Sequence, residues 1–227
     1  MATRNWAPAA ALVVALTLGA CSTSVSGQAT RAGGASPSGT AVTTTPTPKP
    51  IAARDLLLQD GVTTPLGRAV AVALGDNYFT SVRPPECSAA LLFKGSPLLP
   101  PGSSDHAESG YSVGSQALYA ESTDVYSKVV NDHDVVWKGF SAVSDCHGDA
   151  IGVAPLGAFQ PMRLSYFATP SDGVLVWTMT RADWTCDYGL AVVPRVALMI
   201  SACDSKPGFP MADWAAKRRA QLTAGSA

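Results

Sequence analysis

The stretch Gly110-Tyr111-Ser112-Val113-Gly114 fits the Gly-x-Ser-x-Gly pattern of hydrolases, in which a serine on a strand-to-helix turn attacks an ester carbonyl. Such a serine needs a histidine as its base. The histidines that follow it, His133 and His147, come after only 21 and 35 residues, too soon for a sheet to lie between nucleophile and base. A loop or the start of a strand is therefore the favoured interpretation. A serine esterase using Ser112 is kept as an alternative function.

Two other polar groups have residue types suited to catalysis or metal binding. Asp132-His133-Asp134 resembles a base oriented by carboxylates, but its position four residues before Trp137 places His133 at the edge of a helix. The two aspartates are then expected in solvent. His147 has no partner at metal-ligand spacing and is interpreted as a surface residue. We therefore predict no catalytic residue, no metal site and no cofactor.

Five cysteines remain as chemically reactive side chains: Cys21, Cys87, Cys146, Cys186 and Cys203. The last four are separated by 59, 40 and 17 residues and form no Cys-x-x-Cys pair, which argues against zinc. If Pro194-Arg195 forms a hairpin turn, Cys186 lies directly across from Cys203, at a separation that a disulfide can bridge. Pro-Arg is not a favoured hairpin sequence, so a bulge would change this register. Cys87 and Cys146 would form the remaining pair.

Cys21 follows Leu18-Gly19-Ala20, which resembles the bacterial lipobox, where the cysteine is acylated and becomes the new N-terminus. Residues 1–20 have the early basic residue, apolar stretch and small-residue end of a secretory signal. The apolar stretch of twelve residues spans about 18 Å, less than the roughly 30 Å of a bilayer core, so a permanent transmembrane helix is not expected. We predict a lipoprotein signal peptide over 1–20 and lipidation at Cys21.

Lipidation of Cys21 leaves four cysteines, an even number that suits disulfides in an oxidising compartment. We therefore predict that the protein is lipid-anchored on the extracytoplasmic face of the cell membrane. Residues 21–50 are rich in Ser, Thr, Gly and Pro and contain no aromatic residue, which predicts a disordered tether. From residue 51 to residue 227 the composition is that of a folded domain.

The charge balance excludes one large class of partners. The 227 residues carry a formal net charge of -1, and the sequence pI is about 6.3. Domains that bind nucleic acids usually have a pI of about 9 or more. The short basic cluster Lys217-Arg218-Arg219 is interpreted as a solvated helix face. We predict no binding to nucleic acid.

Hydrophobic periodicity predicts two hairpins and two helices. The hairpins are expected around Thr169–Gly173 and around Pro194-Arg195, where alternating apolar runs meet turn residues. The first helix is expected to begin after the capping cluster Ser122-Thr123-Asp124 and to end near Gly139, and the second to run from Pro210 to Leu222. The fold class is α+β, with a twisted antiparallel sheet packed against two helices and covered on one face.

Taken in order along the chain, these features resemble the PknH-like extracellular sensor domain, a family that caps some mycobacterial receptor Ser/Thr kinases and occurs as stand-alone lipoproteins. The resemblance covers about residues 54 to 224. It rests on Leu56-Leu57-Leu58, on Pro84-Pro85-Glu86-Cys87, on a helix before Cys146, on the hairpin bracketed by Cys186 and Cys203, and on the closing helix. One departure is that Trp137, the aromatic residue before the second domain cysteine, lies nine positions ahead of it.

The resemblance implies disulfides between the first two and the last two domain cysteines, and a cleft proposed to bind a ligand. It brings no catalytic residue. We therefore expect a ligand-binding or sensor-like lipoprotein without catalytic activity, and a carrier of envelope lipid or glycolipid as an alternative. The expected partner is a small molecule or lipid, with an envelope protein as a second candidate. The residues of the binding site are not assigned from the sequence.

Overall fold

The computed structural model describes residues 50–73, 78–114 and 116–225, and the structural statements below concern these parts of the chain. The predicted signal peptide, the lipidation site Cys21 and the tether up to residue 49 lie outside the described residues. Within the described part, no helix has the length and apolar character needed to cross a membrane.

Eleven strands pair antiparallel in one continuous order, β1-β2-β4-β5-β11-β10-β9-β8-β6-β3, with β7 attached to β6. The strands are Thr63–Thr64 (β1), Gly67–Val72 (β2), Ser81–Arg83 (β3), Asp105–Val113 (β4), Ala117–Val125 (β5), Asp149–Ala154 (β6), Gly157–Ala158 (β7), Met162–Ser171 (β8), Val174–Arg181 (β9), Trp184–Val193 (β10) and Val196–Asp204 (β11). The long strands β4, β5 and β8 to β11 form the centre, and very short strands lie at both ends.

Two long helices and two single-turn helices pack on this sheet. They are Ala53–Leu56 (α1), Ser88–Leu91 (α2), Asp132–Ser144 (α3) and Met211–Gly225 (α4), and a 3₁₀ turn at Pro85–Cys87 precedes α2. The α+β class with an antiparallel sheet and two disulfides is confirmed. The two predicted helices correspond to α3 and α4, and the single turns α1 and α2 are additional.

The prediction that helices cover one face of the sheet is wrong, because both faces are covered. Helices α1 and α4 pack on one face, with Trp214, Ala215 and Leu222 among the core residues. Helices α2 and α3 pack on the other face, with Val136 and Val143 in a separate core. Strands β9 and β10 lie between these cores, which explains why nine of the ten residues of β10 and five of the eight residues of β9 are buried.

The predicted hairpin register is observed. Pro194 and Arg195 form a two-residue turn, and Cys186 lies opposite Cys203. The disulfide between them joins Cα atoms 4.1 Å apart, and a second disulfide joins Cys87 and Cys146 with Cα atoms 4.5 Å apart. The first bridge ties neighbouring strands, whereas the second ties the segment before α2 to the end of α3.

The predicted boundaries of the first helix are wrong at both ends. Ser122, Thr123 and Asp124 lie within β5, where they pair with β4 on one side and β11 on the other. The helix begins instead at Asp132, after Asn131, whose side chain accepts a hydrogen bond from the Asp134 backbone N–H. Two-sided strand pairing therefore overrides the local preference of these polar residues for a helix cap.

Gly139 lies inside α3 and does not end it. A Cβ atom at this position would lie 3.0 Å from a methyl carbon of Leu175, on β9. The glycine therefore allows the helix to approach the sheet closely, and the helix continues to Ser144. The glycine at position 139 is therefore explained by the close packing of α3 on Leu175, and not by the end of the helix that the sequence predicted there.

The interpretation of Lys217-Arg218-Arg219 as a solvated face is also wrong. Arg218 is buried, and its Nε and terminal nitrogen contact the two carboxylate oxygens of fully buried Glu121 at 2.8 and 2.9 Å. A terminal guanidinium nitrogen of Arg219 lies 2.8 Å from a carboxylate oxygen of Asp132. Lys217 remains exposed, with its ammonium 4.9 Å from the ring centre of Trp214.

Replacing Arg218 with methionine is expected to destabilise the fold strongly. The variant leaves the Glu121 carboxylate buried without its cation, which costs about 3–5 kcal/mol in unfolding free energy. Urea denaturation followed by circular dichroism measures this loss. The matched control is Lys217→Met on the same helix, which is expected to cost less than about 1 kcal/mol. Adding Glu121→Leu to Arg218→Met should restore part of the lost stability, and equal losses in the two single variants would contradict the prediction.

Four buried tyrosines predict a loss of stability at alkaline pH. Burial raises the pKa values of Tyr111, Tyr119, Tyr126 and Tyr188 above the ordinary value of 10.0. The folded chain therefore keeps these protons while the unfolded chain releases them, so stability falls as the pH rises above about 10. An ultraviolet titration of tyrosinate should show these four groups ionising together with unfolding. Their ionisation while the far-ultraviolet circular dichroism stays native would contradict this expectation.

Candidate functional site

An apolar cavity of about 420 Å³ opens on the face of the sheet that α2 and α3 partly cover. Most of its lining is aromatic or aliphatic. The lining residues are Tyr78, Phe79, Leu91, Phe93, Leu118, Tyr119, Ala120, Phe159, Gln160, Met162, Arg181, Trp184, Cys186, Tyr188, Ser201 and Cys203. A cavity of this size, with mainly apolar walls and few polar groups, has the character of a small-molecule site.

The floor of the cavity is set by strand register. Cys186, Cys203 and Leu118 lie side by side on β10, β11 and β5. In strands, residues two apart share a face. Tyr188 and Ser201 therefore continue the floor in the next row. The Cys186–Cys203 bridge holds the two central strands of this floor together.

Phe79 and Phe159 form an aromatic wall of the cavity. The rings of Phe79 and Phe159 meet edge to face with their centres 5.1 Å apart. Phe79 packs over Gly152 on β6, where a Cβ atom would lie only 2.5 Å from three ring carbons. The missing side chain at Gly152 therefore makes room for the Phe79 ring.

The polar groups of the cavity are few and differ in burial. Arg181 is one-quarter exposed, and its Nε lies 2.8 Å from a carboxylate oxygen of the exposed Asp183. Tyr188 is buried, and its ring stacks on that of Trp177 with the ring centres 5.3 Å apart. Burial raises the pKa of the Tyr188 hydroxyl. The Lys94 ammonium lies 4.4 Å from the ring centre of Tyr78, which is a lining residue.

Two further concavities lack this combination of size and apolar lining. A broader one of about 760 Å³ runs beside Cys146, His147 and Arg163 and has a mixed polar lining. A smaller one of about 210 Å³ lies at the start of α4 above Asp187. Burial raises the pKa of Asp187, although Thr178 donates a hydrogen bond to it at 2.5 Å.

The structure does not give Ser112 the surroundings of a hydrolase nucleophile. Ser112 lies inside β4, paired with Val70 on β2 and Leu118 on β5, and the chain continues into a hairpin. The pattern requires a turn from a strand into a helix. His106 lies on the same strand six residues away, which corresponds to about 20 Å.

The other polar candidates are dispersed. His133 is exposed, with its ring centre 6.0 Å from that of Trp137, and His147 is also exposed. Asp134 is exposed, as expected, whereas Asp132 is partly buried and paired with Arg219. The expectation of two solvated aspartates is therefore wrong for Asp132. Among the described residues, no cluster of three or more His, Cys, Asp or Glu side chains is arranged to hold a metal ion.

Sequence reasoning missed the residues that build the cavity. Phe79, Phe159 and Arg181 come from three distant segments and follow no common spacing. It also missed a cluster on β4 and β5. There, Nε2 of His106 lies 3.2 Å from a carboxylate oxygen of Glu108, and Nδ1 of His106 lies 3.2 Å from a carboxylate oxygen of Asp124. The strand register would have placed His106 beside Asp124, had β5 been predicted as a strand.

Comparison with known proteins identifies close relatives. No protein-family profile matches the sequence. The chain is 62% identical over 220 residues to a protein named as a lipoprotein, LprH, in Mycobacterium tuberculosis and in Mycobacterium bovis. The match covers 96% of this chain and 94% of the relative.

A solved structure shares the fold. The extracellular domain of PknH from Mycobacterium tuberculosis superimposes with a TM-score of 0.59, covering 76% of this chain and 95% of that domain. The sequence identity is 14%, so this likeness concerns the fold alone. The chain belongs to the LprH lipoprotein family, and its folded domain has the architecture of the PknH extracellular domain.

Proposed function

We propose that the protein is a lipid-anchored, extracytoplasmic ligand-binding module without catalytic activity. The observation that carries the proposal is the apolar cavity of about 420 Å³ on the α2–α3 face. Its volume falls within the range of about 300–1,000 Å³ that is usual for ligand sites. A disulfide in the floor and a tightly seated aromatic wall support a cavity that is formed before the ligand arrives.

The chemistry of the lining favours binding over catalysis. Four lining residues carry hydroxyl groups, namely Tyr78, Tyr119, Tyr188 and Ser201, but the described lining includes no histidine and no carboxylate to serve as a base. Burial raises the pKa of Tyr188 above its ordinary value of 10.0, which moves it further from the neutral range in which a tyrosinate could act as a base. We therefore propose that the cavity holds its ligand without transforming it.

The proposed anchor is the acylated Cys21, joined to the domain by the tether over residues 21–50. The name of the LprH relatives supports a lipoprotein. The proposed location is the outer face of the cytoplasmic membrane, where both disulfides would persist.

A carrier of envelope lipid is the second candidate function, and the cavity edge favours it. The side chains of Leu118 and Phe159 are 49% and 42% exposed, and both line the cavity. Apolar groups at an opening would contact an acyl chain as it enters or leaves. An envelope protein that receives the ligand or senses the bound state is the partner proposed for either function. Nucleic acid is not proposed as a partner.

Filling the cavity is expected to abolish ligand binding while leaving the fold intact. Ala120 lies on the cavity side of β5 and is only partly buried, so Ala120→Trp places an indole in the cavity. Native mass spectrometry after organic extraction and re-exposure to an envelope lipid extract measures binding. The matched control is Ala71→Trp, at an exposed strand position outside the cavity lining. Equal binding by the two variants would contradict the assignment of the cavity as the site.

Changing the aromatic wall is expected to weaken binding without removing any lining residue. Gly152→Ala places a methyl group where the Phe79 ring now lies, so the ring must leave its contact with Phe159. A crystal structure of the variant shows the ring position, and the same binding assay shows the effect. The control is Gly148→Ala, because no atom lies within 4 Å of the added Cβ there. A Phe79 ring that stays in place in the Gly152 variant would contradict this prediction.

A further inference from the structure

The cavity has an asymmetric charge distribution. Arg181 is the one formally charged residue in its described lining, and the lining contains no Asp or Glu. Lys94 is not a lining residue, but its ammonium lies 4.4 Å from the ring centre of Tyr78, which is one. An apolar cavity with a cation and no lining carboxylate complements a ligand that has an apolar body and a negative group.

Strand register places Arg181 at one end of the apolar floor. Arg181 lies directly opposite Trp184 across β9 and β10. The floor then continues along β10 through Cys186 to Tyr188, which lies four residues, or about 13 Å, from Trp184. The floor therefore extends about 13 Å along β10, with the positive charge of Arg181 at one end.

The Arg181 guanidinium has one weakly bound partner and can still bind a ligand. Its guanidinium contacts the Asp183 carboxylate through Nε, but Asp183 is 78% exposed. An exposed partner of this kind contributes little to stability because water screens the ion pair. The guanidinium has five N–H donors in a planar fork, so it can bind a second oxyanion while keeping or releasing the first.

We propose that the cavity binds an amphiphile with one acidic group, which pairs with Arg181 while the apolar body lies along the floor toward Tyr188. This inference rests on the proposed function and specifies its ligand class. The acidic group is a carboxylate or a phosphate, because both accept paired hydrogen bonds from a guanidinium. Arg181 is thus a specificity-determining residue, and Asp183 competes with the ligand for it.

Three probes with the same alkyl chain test the ligand class: dodecanoic acid, dodecyl phosphate and dodecanol. The protein used comprises residues 21–227, exported behind a cleavable signal, with Cys21→Ser so that no attached acyl chain competes. Native mass spectrometry and calorimetry measure binding below the concentration at which the probes form micelles. At least one acidic probe is expected to bind about tenfold more tightly than dodecanol. Preference for dodecanoic acid indicates a fatty acid, and preference for dodecyl phosphate indicates a phosphorylated lipid.

Variants at two similar ion pairs test the role of Arg181. Arg181→Gln is expected to remove the preference for the acidic probe and to leave dodecanol binding unchanged. Asp183→Asn is expected to strengthen binding of the acidic probe, because it removes the competing carboxylate. The control is Arg163→Gln, because Arg163 is an exposed arginine paired with Asp149 outside the cavity lining. Thermal unfolding checks that each variant is folded.

The outcomes separate this inference from the proposed function. Dodecanol binding as tightly as both acidic probes would overturn the acidic ligand class while supporting an apolar ligand site. An equal loss of preference in Arg181→Gln and Arg163→Gln would overturn the role of Arg181, because general charge would then explain the preference. Binding of none of the three probes would overturn the inference. The proposed function would then stand or fall on the separate assay with envelope lipid extract.

Discussion

The ion pair between Glu121 and Arg218 connects three parts of the chain at a site that water does not reach. Arg218 also donates a hydrogen bond to the Leu56 carbonyl at 2.7 Å, and Glu121 accepts one from the Leu58 backbone N–H at 2.7 Å. The Tyr119 hydroxyl donates to Glu121 at 2.6 Å and accepts from Trp214 at 2.7 Å. A buried charge is tolerated only when it is paired and hydrogen-bonded in this way. Helix α4, strand β5 and the segment after α1 therefore have one compatible arrangement.

Most of this polar network lies with the core of the α1–α4 face, whereas the cavity opens on the α2–α3 face and shares only Tyr119 with the network. The two faces have different roles. Helix α4 closes its face with Trp214, Ala215 and Leu222 and locks it through Arg218. On the other face, α3 covers the central strands, and the cavity forms where this cover ends. One face thus provides rigidity, and the other provides a partly open apolar surface. The Cys186–Cys203 disulfide joins β10 to β11 in that open surface and so holds these strands together where no helix covers them.

Sequence reasoning succeeded where local rules determine structure and failed where distant pairing does. The Cys186–Cys203 register follows from one turn, so it could be predicted from the spacing alone. The capping signal at Ser122 was misleading because β4 and β11, which enclose that segment, come from other parts of the chain. Arg218 looked solvated because its partner Glu121 is 97 residues away. The cavity could not be predicted for the same reason, since its floor and wall meet only in the folded chain.

The shortness of the terminal strands has a consequence for crowded membranes. The sheet ends at β1 with two residues and at β3 with three. An unpaired strand edge can template pairing with another molecule, and a short edge offers few free backbone groups for this. The proposed lipid anchor would concentrate copies of the domain in two dimensions, where such encounters are frequent. The terminal strands therefore offer little for such pairing. Strand β8 offers more, because it pairs with β6 only at Met162 and Arg163, and the rest of that edge has no strand partner among the described residues. Contact between neighbouring copies is thus expected along β8 rather than at the two ends of the sheet.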